Sequence, residues 1–375
     1  MSRWRPVAIQ NCSAIGAFGV GLDSFHSWWS NERPDLTSKV EVLQEQWLPF
    51  EIAGQVPKWR ARDHIPERKA IKLMTRRVQL GVASALQAWG NPDPDRLPAP
   101  QRRAMYTGCG VPADEDWTFR LPIDESVSDG RFDMFRFATH GQEFLNPLWL
   151  VKSLTNNVLA FSAKTLDLQG ANNNFEGDAA GALIAVGEAA RGIAEGRADI
   201  ALAGAGDSLI SVEFMLHLAR SQAEGEPNDF LPGEGAAFVL MDTCKTEGLA
   251  VLGFGSASGP SLTPRIRCTN RSHPQILETI EQARESAWRE ASPFLSASRP
   301  GLRLLGPRIP YSGGACPELR ISDQLGDCGA AGGALLLAAA CTHWKLSPPE
   351  EVIELVAVAP GGEASVLLIG SANPL

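Results

Sequence analysis

An α/β fold built from two related halves is what this sequence predicts, and three observations predict it. Two stretches composed largely of Ala, Gly and Leu, residues 179–194 and 329–344, have helical length and are apolar nearly all round, as in a helix sunk within a core. Short apolar runs bounded by Gly flank each one and have the length of buried strands. The order of strand, amphipathic helix, strand and apolar helix found before residue 243 recurs after residue 249, which indicates an internal duplication. The halves are placed at 1–245 and 246–375.

The elements follow in order. Residues 6–14 read as a buried strand centred on Val7, Ala8 and Ile9, and residues 16–21 as a glycine turn. A helix then begins, capped by Asp23 or Ser24, and runs to Trp29. Residues 30–66 are polar and interrupted by Pro34, Pro49, Pro57 and Pro66. The spacing of Ile71, Met74, Val78, Leu80, Ala83 and Leu86 predicts one helix over 68–89. Residues 104–110 are a strand entering a glycine turn. Residues 112–150 are acidic and aromatic with weak periodicity, and read as an insert running over the surface. Strands at 198–205 and 235–241 complete the first half. The second half has strands at 249–253 and 302–305, an amphipathic helix at 275–288, the apolar helix, and closing strands at 352–359 and 364–369.

Composition narrows the function. The 375 residues are 44% hydrophobic with a formal net charge of −9. Basic pairs such as Arg76-Arg77 and Arg102-Arg103 read as isolated, which argues against a nucleic-acid partner. Seven Cys are scattered without a CxxC pair, so no metal site is expected, and no cofactor is expected either. An odd Cys count without a leader segment fits a reducing cytoplasm. The longest apolar stretch falls short of the roughly 20 residues that span a bilayer, so no membrane role is expected.

Five stretches in order resemble the β-ketoacyl synthase branch of the thiolase superfamily. They are Val7-Ala8-Ile9 through Gly16-Ala17-Phe18-Gly19, the run Arg76 to Ala83, the run Gly192 to Gly204, Pro232-Gly233-Glu234-Gly235-Ala236-Ala237, and Gly329-Ala330-Ala331-Gly332. The resemblance implies the thiolase fold, with two pseudo-duplicated halves in α-β-α-β-α layers. The family's chemistry is not matched. Its nucleophilic Cys stands in a pattern like T-A-C-A-A-G, where this chain has Glu176-Gly177-Asp178-Ala179-Ala180-Gly181. Asp178 at a helix start reads as a cap. A His expected before the second apolar helix is replaced in Gly326-Asp327-Cys328, and no His lies between His273 and His343. The family's Phe-Gly-Gly passage reads Ala359-Pro360-Gly361-Gly362, and Pro360 has no N–H for an oxyanion. Asp178, Asp327 and Pro360 are thus degenerate catalytic positions, and Cys328 reads as a core residue.

The resemblance also implies that the strand before Asp178 pairs with its twin across a two-fold axis, which places Asn172, Asn173, Asn174 and Phe175 at a dimer interface. The alternative for three consecutive Asn is a solvated turn. The leading functional expectation is an inactive binding or scaffolding partner of the kind that accompanies type VI secretion effectors. One alternative is a chain-length-factor-like subunit working with a β-ketoacyl synthase and an acyl carrier protein in fatty acid or polyketide synthesis. Another is an enzyme of altered chemistry in which Asp178 and Asp327 share a proton. The expected partners are a second copy or an active ketosynthase, with a secreted effector or an acyl carrier protein.

Overall fold

Alternation along the strands sets the layers. In β4 (Ile200–Ser208), Ala201, Ala203 and Ala205 enter one core cluster while Leu202 enters another. In β5 (Glu234–Thr243), Ala237, Val239 and Met241 face the first and Ala236, Phe238 and Leu240 the second. Side chains of period two, apolar on both faces, require cover on both sides. The computed structural model describes residues 4–40, 52–110, 119–211, 214, 231–243, 248–259, 274–295, 299–307, 309, 316–346 and 351–371. Within them an eleven-stranded sheet forms.

Its first five-strand unit runs β3 (Asn172–Glu176), β2 (Arg103–Cys109), β4, β5, β1 (Val7–Gly16). The second runs β8 (Glu318–Leu319), β7 (Leu302–Leu305), β9 (Ile353–Val358), β10 (Glu363–Ser371), β6 (Leu249–Ser258). In each unit the first three strands are parallel and the last two join antiparallel. The same order and the same senses occur twice, as a duplication requires. The units meet where β1 touches β6 through two residue pairs, Val7↔Val251 and Ala8↔Ala250. The eleventh strand, Gly19–Val20, folds back on β1.

Helices complete the layers. α4 (Asp178–Ala194) and α6 (Ala330–Leu346) pack on each other and touch strands of both units. α2 (Arg76–Trp89) covers only the first unit, on β1, β4 and β5, and α5 (Pro274–Ala291) only the second, on β6 and β10. Three core clusters correspond: one around the central helices, one under α2, one under α5. This is the α-β-α-β-α layering of the thiolase fold. Small residues allow the central pair to touch, since a Cβ on Gly333 would stand 2.0 Å from the Ala179 carbonyl oxygen.

Some local expectations are corrected. α1 (Leu22–Ser30) is capped by Gly21 at φ 96°, not by Asp23 or Ser24; the Ser24 hydroxyl instead bonds the Val20 carbonyl at 3.0 Å. The single helix over 68–89 is two pieces, a 3-10 turn at Ala70–Leu73 and α2, because Met74 and Thr75 are extended. α3 (Asn157–Leu166) was not foreseen. The triple Asn forms the expected strand and not the alternative turn. Residues 119–152 are a series of short pieces, Arg120–Asp124, Val127–Ser128 paired with Arg131–Phe132, Met134–Thr139, Gly141–Phe144 and Trp149–Lys152. Among the described residues, no helix is long and apolar enough to cross a membrane.

Candidate functional site

The starts of the two central helices converge with the end of β4. Asp178 is the first residue of α4, after Gly177, and is half-buried at φ 45°. The expected cap is therefore corrected: Gly177 holds the cap position and Asp178 lies one residue inside. A positive φ at a non-Gly residue costs about 1–3 kcal/mol and persists only where the surroundings enforce it. Here the enforcement comes from a sharp strand-to-helix turn. The Gly177 N–H donates to the Cys109 carbonyl at 3.1 Å, and the Gly181 N–H reaches Gly177 at 2.9 Å. A carboxylate in the first turn still gains from the helix dipole.

Asp327 is 1% exposed and its Oδ1 accepts the Gly329 N–H at 2.9 Å. Its backbone is tied to the loop before β5, accepting from Gly233 and donating to Leu231, both at 2.7 Å. It thus holds the turn into α6.

A third carboxylate, missed in the sequence, stands between them. Asp207, at the end of β4, is 2% exposed. Its Oδ1 accepts the Ser208 N–H at 2.9 Å, and its Oδ2 accepts the Ala330 N–H at 3.0 Å. Gly110 lacks a side chain where two carboxylates meet: a Cβ there would lie 2.5 Å from Asp178 Oδ1 and 2.6 Å from Asp207 Oδ2. Burial pushes the Asp207 carboxyl up, the charge of buried Arg77 and the N–H groups of Ala330 and Ser208 oppose it, and Asp327 adds to it. The available signal was an acid continuing an apolar strand, Ala203-Gly204-Ala205-Gly206-Asp207.

Glu234 is also buried, at 1% exposure, and opens β5. Arg76 grips both its oxygens, Nε to Oε2 at 2.9 Å and Nη2 to Oε1 at 2.5 Å. The Val56 N–H and Ser208 hydroxyl complete its shell at 2.9 and 3.2 Å. One carboxylate thereby fixes α2, β4, β5 and the segment around Val56.

Among the described residues no activated thiol stands here. Burial, then Asp327, Glu234 and Asp207, push the Cys328 thiol well above its ordinary range. Burial raises Cys109 to about 11, although the Asn174 amide donates to its sulfur at 3.0 Å. The described His residues lie elsewhere: His26 on α1, His64 against Trp59, His140 near Glu125 and Glu143, His343 against Glu351. Pro360 sits in the turn between β9 and β10, closed by Gly362 N–H to Ala359 at 3.0 Å. Among the described residues no cluster of three or more His, Cys, Asp or Glu is arranged to hold a metal.

Among the described residues β3 lies at the sheet edge and pairs only with β2, in parallel register from Met105↔Asn172 to Cys109↔Glu176. Asn174 turns inward, accepting from Thr107 Oγ1 at 2.6 Å, while Asn172 and Asn173 are exposed. The flanking bonds, Met105 N–H to Ala171 and Gly177 N–H to Cys109, set the alternation. The N–H groups of Asn173 and Phe175 face β2, and those of Asn172 and Asn174 face outward. A cavity of about 660 Å³, lined by Thr155, Asn156, Leu159, Asn172, Asn173, Asn174 and Glu176, opens beside this edge.

The family model for the β-ketoacyl synthase N-terminal domain matches residues 59–246, half of the chain. The chain belongs to the β-ketoacyl synthase family. Solved structures agree in fold across the whole length of this ketosynthase-family chain. A β-ketoacyl synthase from Burkholderia phymatum is similar with a TM-score of 0.74 and 16% identity, over 98% of this chain and 99% of that one. The ishigamide ketosynthase/chain length factor is similar at 0.73 and 18%, over 98% and 99%. A ketosynthase in complex with its chain length factor from Xenorhabdus doucetiae is similar at 0.63 and 14%, over 98% of each chain.

Proposed function

We propose that this ketosynthase-family chain is a non-condensing subunit that pairs with an intact ketosynthase, in the manner of a chain length factor. The observation that carries the reading is Asp178 at φ 45°: a strained turn that presents a side chain at the start of α4, with a carboxylate in place of a thiol. A carboxylate is a poor acyl acceptor, because the product is a labile mixed anhydride. Burial raises the thiols of Cys109 and Cys328 above their ordinary range, and no described His adjoins them. Structures described as ketosynthase/chain length factor pairs support this reading over the secretion-accessory one. The subunit acts in the cytoplasm, without cofactor or metal, with 1–245 and 246–375 as its domains.

The edge strand β3 is the proposed contact, through Asn172, Asn173, Asn174 and Phe175. Its outward edge suits a partner strand: the Asn172 N–H faces out, and the Asn174 N–H meets only its neighbour's side chain, Asn173 Oδ1, at 2.9 Å. Residues 119–154 also expose Phe132, Met134, Phe135, Leu148, Leu150 and Leu154, a concentration of apolar surface of the kind that marks interaction sites. The partner is an intact ketosynthase, or a second copy where none is present. Two measurements test the reading. Incubation with acyl thioesters is expected to leave the intact mass unchanged, and the protein is expected to co-purify with a ketosynthase from its own host. A stable acyl adduct on Cys109 or Cys328 defeats the first half, and failure to bind every host ketosynthase defeats the second.

A further inference from the structure

Glu176 closes β3 and is the single charged residue in the strand, which otherwise reads Asn172-Asn173-Asn174-Phe175. It is exposed, and among the described residues no ion pair or side-chain hydrogen bond reaches it. With Asn156, Asn172 and Asn173 it lines the cavity of about 660 Å³ beside the edge, and none of the lining residues is cationic. Asn156 precedes α3 without a side-chain bond to that helix, so its amide is not taken up locally. Asn174, by contrast, is spent inward on Thr107 and Cys109.

A strand laid on this edge covers Glu176. A carboxylate shut off from water loses hydration that neutral amides restore only in part, and an opposed, hydrogen-bonded cation restores it best. A second copy does not bring that cation on its own strand. For any two-fold centre within β3, the residue opposite Glu176 falls within 168–176, a stretch without Lys, Arg or His. We propose that the cavity beside β3 receives an Arg side chain of the partner ketosynthase, with Glu176 as its counter-charge, which rests on the reading of β3 as the ketosynthase contact. A guanidinium donates two parallel N–H groups to a carboxylate, has others left for amide oxygens, and sheds its hydration more readily than an ammonium. The volume lies within the roughly 300–1,000 Å³ of small-ligand sites and so admits a long side chain. The edge thereby discriminates between partners: a ketosynthase carrying the cation gains an ion pair, whereas a second copy leaves Glu176 against neutral or acidic neighbours.

Sedimentation velocity and calorimetry with an intact ketosynthase from the same host compare wild type, Glu176→Gln and Glu176→Lys. Glu176→Gln is expected to bind that ketosynthase about tenfold more weakly and with a shallower salt dependence, and Glu176→Lys more weakly still, at unchanged melting temperatures. Self-association of Glu176→Gln is expected to equal or exceed that of wild type, since no ion pair is lost there. Equal ketosynthase binding by wild type and Glu176→Gln overturns the cation site and leaves the partner-subunit reading standing. No ketosynthase binding by wild type removes both. Self-association that weakens in Glu176→Gln assigns the cation to a second copy and overturns the choice of partner.

Discussion

Burial holds the Asp207 proton to higher pH than an ordinary carboxyl, and the sign of that shift sets a stability profile. The unfolded chain titrates Asp207 near 3.8, and the folded chain keeps the proton above that value. Proton binding therefore favours the fold, by an amount fully present below 3.8 and lost as pH rises through the folded value. Asp207→Asn does not titrate. The stability of wild type relative to this variant is expected to fall as the pH rises above 3.8 and through the raised folded value, read as urea midpoints; parallel profiles would exclude the effect. At Asp178, restoring a thiol by Asp178→Cys is expected to give no condensation, since no described His adjoins it and Pro360 lacks an N–H. A single missing oxyanion donor alone costs about 10²–10³ in rate. Turnover of malonyl and acyl thioesters by the variant, assayed without a ketosynthase, would contradict this. Asp178 and Asp327 were legible because each sits in a short motif. Asp207 was not, and Glu234 was visible only as part of a motif and not as a buried ion-pair partner, because their partners are remote: Ala330 lies 123 residues from Asp207, and Arg76 lies 158 from Glu234.

At the scale of elements, the central helices were legible to within two residues because nothing but burial explains so much Ala and Gly on every face. Strand positions followed from the same apolar runs. The start of α2 was not, because the apolar spacing continues from Ile71 through Met74 across a break that extended Met74 and Thr75 create. Residues 119–152 gave no period because their pieces are too short to carry one. The contact between α4 and α6 makes a sharp prediction. Gly333→Ala places a methyl 2.0 Å from a backbone oxygen, which neither helix can yield without moving in a packed core. The expected cost is about 3 kcal/mol, measured by chemical denaturation. Unchanged stability would mean that the helices stand further apart.

For the whole molecule, the duplicated order was legible from apolar runs, whereas the edge strand was legible only through the family resemblance, since periodicity does not say which strand lacks a neighbour. With β3 at that edge, Asn172→Pro removes an outward N–H and leaves the bonds to β2 in place. It is expected to weaken association with a ketosynthase, or self-association, without lowering the melting temperature; sedimentation velocity measures this, and an unaffected complex would move the interface away from β3. The two-pair contact between β1 and β6 has a consequence of another kind. So slender a seam within the sheet leaves the joining of the halves to the side chains of α4, α6 and the inner strand faces, and to the backbone bonds of Asp327 with Leu231 and Gly233. Their fit needs no peptide bond between Thr243 and Leu249. A protein severed there should reassemble from its two fragments, so a reporter split at this point would register the folding of one half by the other.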